Sequence, residues 1–169
     1  FRVNVPSFLQ EVTVVTIPKH LLLLVAATVS ALFAVHAQAQ IWDEGDESVV
    51  RVGEEVFAAG DTLSLSGNSG LTWAAGNTVV VEEPSGGVVA AGNVVKVLKG
   101  ADGPIIASGS DVSVEGAVSG SIYAAGQDVE LDVDHRGGTV LAAGSNIGFM
   151  GQTTGSAYFA GDSVRVEGR

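Results

Sequence analysis

The 169-residue chain has no cysteine, one methionine, three histidines, and aromatic residues amounting to only 6%. Without cysteine no disulfide can hold the fold together and no thiol can serve as nucleophile or metal ligand, so stability must come from burial and hydrogen bonding. His20 and His36 lie in an N-terminal leader, which leaves His135 as the single histidine of the remainder. Basic residues are also scarce: eight Lys and Arg stand against nineteen Asp and Glu, a formal charge of −11. Such a surface repels nucleic acid and anionic lipid, so nucleic acid is not expected as a partner.

There is one long apolar run, Leu21 to Val35, with Lys19 before it and Ala37-Gln38-Ala39 after it. Basic residue, apolar stretch and small-x-small site together read as a signal peptide over residues 19–39. The run is shorter than the ~20 residues of an ordinary spanning helix, and a retained membrane anchor is the competing reading. Either way the expected location is the periplasm, the exterior or the outer side of a membrane. Cleavage after Ala39 would leave a net charge of about −12. Residues 1–18 fit neither leader nor repeat and stay unassigned. Residues 40–55 read as an acidic linker, with Asp43, Glu44, Asp46 and Glu47, followed by an N-terminal cap containing Val49, Val50 and Val52. The acidic spacing matches no calcium loop.

Glycine is plentiful, at 23 residues, and it is regular. Gly60, Gly76, Gly92, Gly109, Gly126, Gly144 and Gly161 follow one another at steps of 16, 16, 17, 17, 18 and 17. Such a period predicts a solenoid. Three and five residues after each glycine stands an apolar residue, from Leu63 and Leu65 to Val164 and Val166. Alternation of this kind marks short strands with one buried face. Before the glycine the parity continues: Val56, Thr72, Val88, Ile105, Ile122, Val140 and Ala157 at the fourth position back, then alanine at the second, replaced by Phe159 in the last turn. The chain is therefore expected to be all-β, a single-stranded parallel β-helix of about seven coils over residues 56–169. A lone coil buries too little apolar surface to offset its ordering entropy, so each coil must depend on its neighbours.

A chemical site is harder to find. A single histidine supports no Ser-His-Asp relay. Asp132, Asp134 and His135 lie in the longest segment between coils, beside Gly137-Gly138, and read as an exposed polar loop rather than a metal site. Asp61, Asp111, Asp128 and Asp162 follow the glycines and are expected to satisfy turn amides. No catalytic residue, metal or cofactor is expected, and the chain is not read as an enzyme.

From Val56 to Arg169 the sequence resembles the bactofilins, bacterial polymer-forming cytoskeletal proteins. The segment Gly120-Ser121-Ile122-Tyr123-Ala124-Ala125-Gly126-Gln127-Asp128-Val129-Glu130-Leu131 carries the likeness. It implies a right-handed solenoid that polymerises end to end without nucleotide, with further copies of the chain as the main partner. Two features depart from that family: bactofilins are typically cytoplasmic, whereas this chain carries an export leader, and they often place polar residues three positions before the glycine. Here that outward position holds Phe57, Trp73, Val89, Ile106, Tyr123, Leu141 and Tyr158. Seven outward apolar residues predict a stripe along the rod that serves as an interface. Two functions follow: a self-associating structural protein of the cell envelope, or a monomeric adhesin-like rod whose stripe contacts a protein or glycan. A membrane or envelope component is a further expected partner.

Overall fold

A computed structural model describes residues 48–66, 70–83 and 86–168. The leader, the first 18 residues and the acidic cluster lie outside the described residues. The described residues open with β1 (Ser48–Val52), β2 (Glu55–Leu65) and β3 (Leu71–Val81), then run through the shorter β4 (Gly87–Ala91), β5 (Val94–Val97), β6 (Gly100–Ala101) and β7 (Ile105–Ser108). It continues as β8 (Asp111–Val118), β9 (Ile122–Ala125), β10 (Asp128–His135), β11 (Thr139–Thr153) and β12 (Ser156–Gly168). No helix occurs among these residues, and the pairing is that of a parallel β-helix of about six turns. Seven rungs with six intervals between them account for both that number and the seven repeats.

Register follows the glycines. Gly60 stands opposite Gly76 and Gly144 opposite Gly161, so equivalent repeat positions stack throughout. The segments before each glycine form one side, through β2, β3, β4, β7, β9, β11 and β12. The segments after it form a second, through β2, β3, β5, β8, β10, β11 and β12. A third side runs through the later coils, where Ala101 pairs with Val118, Val118 with His135, and His135 with Thr153.

The core is the set of inward slots expected from the period-2 pattern. Val56, Val88, Ile105, Ile122 and Val140 are buried, as are the alanines two positions before each glycine and the pairs from Leu63/Leu65 to Ile147/Phe149. Phe159 replaces alanine in the last rung and packs at 5.3 Å from Phe149, both rings inside the rod. Burial fails at one place, the end of β12, where Val164 is 38% exposed.

Two expectations need correction. Residues 132–135 are not a loop: β10 runs through them, with Val133 and His135 turned inward in the same parity as Val129 and Leu131. At the Asp111 and Asp128 corners the aspartates are not the acceptors of the corner amides either. Corner amides bond instead to carbonyls of the preceding coil, Asn93 to Asn77, Ser110 to Asn93, Gln127 to Ser110 and Ser145 to Gln127, at 2.8–2.9 Å. Stacking equivalent corners places each N–H over a carbonyl, so a side-chain acceptor is superfluous.

β1 is the only antiparallel strand among the described residues. It folds back through a tight turn at Gly53-Glu54 and pairs with the first half of β2, Ser48 opposite Ala59 and Val52 opposite Glu55. It thereby covers the outer edge of the first rung from Glu55 to Ala59.

Candidate functional site

The side of the rod that precedes the glycines presents its outward residues in columns. Pairing places Phe57, Trp73, Val89, Ile106, Tyr123, Leu141 and Tyr158 in one unbroken ladder, each opposite the next. Phe57 and Trp73 stack with rings 5° from parallel and centroids 6.2 Å apart. Tyr123 is 42% exposed, whereas Val89, a small side chain between Trp73 and Ile106, is only 7% exposed. β1 lengthens the ladder, because Val50 stands opposite Phe57 and is exposed.

A second column lies beside it. Ala59 stacks on Ala75 and Ala75 on Ala91, and the series continues through Ser108, Ala125, Ala143 and Ala160. The repeat held this signal as clearly as it held the stripe, since these residues share the parity of Phe57 and its equivalents. The third column contains Leu71, Gly87, Thr139 and Ser156. From Leu71 to Ala160 none of the outward residues on this side is charged, although the chain carries nineteen acids. The indole N–H of Trp73 is buried here with no acceptor among the described residues.

The side after the glycines is different. It holds a shallow groove of about 450 Å³ lined by β5, β8, β10, β11 and β12, with Lys96, Glu130 and Arg165 along one outward column and Asp111, Asp128 and Asn146 along the next. Asn146 donates to the Asp128 carboxylate at 2.6 Å, and Arg165 pairs with Glu167. Charges of both signs alternate with the small residues Ser113 and Gly148, and the groove is open to water. Among the described residues no three His, Asp or Glu side chains converge on a point that could hold a metal ion.

His135 is the residue whose place the sequence reading missed. It is fully buried on the third side, between Val118 and Thr153 in the ladder. Its Nε2 lies 3.0 Å from the Gly120 carbonyl, an acceptor only, so Nε2 carries the proton. Its Nδ1, 2.8 Å from Thr153 Oγ1, therefore accepts from the hydroxyl. Burial lowers its pKa below the ordinary 6.5, against a smaller opposing effect of the Gly120 hydrogen bond. The folded chain thus binds a proton less readily than the unfolded chain. This contribution to stability is intact above pH 6.5 and is lost as pH falls from 6.5 through the lowered folded value. Thermal melts of wild type and His135→Val between pH 7.5 and 5 test this. The wild type is expected to lose more stability on acidification than the variant, and parallel curves would refute the assignment.

The chain matches no known protein family, no curated protein and no solved structure. Fold and surface are therefore the basis for its function.

Proposed function

We propose that the protein is a structural, self-associating β-solenoid of the bactofilin kind that works in the cell envelope and joins copies of itself through coil edges. The observation that carries this reading is the state of β12. Twelve of its 13 residues pair with β11 along one edge, and no described strand occupies the other. A long free strand edge is a template for another strand. Val164 occupies an inward slot that is buried in the six preceding rungs yet is exposed here, and Val166 is only half-buried, so a further coil, of this chain or of another copy, would bury apolar surface as well as pair backbone. At the opposite end β1 occupies the edge of Glu55–Ala59, and no described strand lies on the outer edge of Asp61–Leu65. The repeat resemblance and the export-type leader support the polymer and its location respectively.

Val166→Lys tests the edge. An inward-facing lysine at an end rung reaches water in a single molecule but is trapped in the apolar interior once another coil covers it. The variant is expected to keep its far-ultraviolet circular dichroism spectrum and lose assembly in a pelleting assay. Equal pelleting of variant and wild type would count against edge-to-edge growth.

A further inference from the structure

We infer that the uncharged side of the rod is a second, lateral interface, which pairs two copies of this chain side by side in parallel. The inference stands on the outward columns and is independent of the β12 edge.

Electrostatics limits how copies of an acidic rod can meet. The groove side carries Asp111, Asp128 and Glu130 against Lys96 and Arg165, and the third side Glu115 and Asp134 against Arg136, so acids outnumber bases on both. Two such surfaces brought together would oppose carboxylates. The side bearing the stripe has no charge between Leu71 and Ala160, so like-charged copies approach there without opposing carboxylates. An anionic lipid surface is disfavoured by the remainder of the rod.

Size is sufficient for a weak pair. Six uncharged rungs at ~4.8 Å and a strand width of five residues at ~3.3 Å give roughly 29 by 16 Å, or about 460 Å² per copy and about 920 Å² in a pair. That lies just below the usual lower limit for a stable interface, so the pair is reversible.

Shape supplies the register. The stripe is a ridge of large side chains, interrupted at the buried Val89, and the alanine column beside it a shallow trough. A two-fold axis running along the rods between these columns lays each ridge in the other copy's trough, with Tyr123 of one molecule facing Ala125 of the next. The two sheets then pack at ~10 Å, the usual separation of stacked sheets. An axis across the rods would set ridge on ridge and hold the alanines apart, which disfavours the antiparallel pair.

The test uses the Val166→Lys chain, in which edge growth is blocked, so that the lateral contact is read alone. Sedimentation equilibrium over a concentration series is expected to give twice the mass of one chain, with the proportion of pairs rising with salt as repulsion is screened. Adding Tyr123→Glu, at a position already exposed, should return the mass to a single chain without changing the melting curve at low concentration. Ala125→Arg should do the same by filling the trough. The inference is overturned if the Val166→Lys chain stays single throughout, or if it pairs equally well with Tyr123→Glu. Flotation of a single-chain form with phosphatidylcholine vesicles would also overturn it, in favour of a lipid occupant. Failure of edge growth has a separate signature: wild-type protein that pairs but never extends.

Discussion

Gly151→Ala is expected to lower the melting temperature by on the order of 10 °C, while Gly53→Ala changes it by only a few degrees. Both glycines have positive φ, +126° and +63° respectively. Their surroundings differ. Gly151 lies in β11 where the third side stacks, and a Cβ there would collide with the backbone carbonyl of Val133 in the preceding coil. Backbone cannot turn aside as a side chain can, so either the ladder opens or φ changes. Unfavourable φ and overpacking each cost about 1–3 kcal/mol, and here they coincide. Gly53 forms the hairpin turn before β2, where an added Cβ meets nothing within 4 Å. Its φ falls in the ordinary left-handed region, and the cost is about 1–2 kcal/mol, confined to β1. Thermal melts of the two variants measure the difference. Equal losses would mean that the third side is not stacked as described.

Leu131→Ala is expected to destabilise by about 2–5 kcal/mol, whereas Val166→Ala costs about 1 kcal/mol or less in the isolated molecule. The two positions are equivalent slots of the repeat, five residues after Gly126 and Gly161. Leu131 is fully buried between Val114 and Phe149, and its truncation leaves a cavity enclosed on both sides. Val166 has Phe149 on one side and no described neighbour on the other, so water fills the space left by its lost methyls. In a solenoid each rung feels only its neighbours, which makes the cost of truncation a report on whether a neighbour is present. Chemical denaturation at low concentration yields the two values. Under assembling conditions the Val166→Ala cost should rise, because a second coil then encloses the same cavity.

The inward slots of the first two sides were legible in the sequence because every coil repeats them at fixed distance from its glycine. The third side was not. Its inward positions hold Ala101, Val118, His135 and Thr153, each nine residues after its glycine, but the residue types are mixed, so no apolar column marks the slot. A polar residue with Gly137-Gly138 just after it reads as a loop, and only the neighbouring coil shows that His135 finds a hydroxyl and a carbonyl in the interior. The stripe was legible as a column, but its meaning changes with what lies beside it. Taken alone, Phe57 and Tyr123 are exposed aromatics. Beside the alanine column, and with no charge among the outward residues from Leu71 to Ala160, the stripe belongs to a face that we infer an acidic molecule presents to its own copies. Asp111 and Asp128 misled for the opposite reason. Asp and Asn after glycine are common turn residues, yet stacked backbone satisfied the amides first.

Negative-stain electron microscopy of the purified protein over a range of salt concentrations tests self-association most directly, because a net charge of −11 opposes contact where screening is weak. Wild-type protein is expected to form filaments as salt rises, with a spacing of ~4.8 Å along the axis in fibre diffraction, and Val166→Lys should abolish them. Isolated short rods at every salt concentration, identical in wild type and variant, would contradict the account.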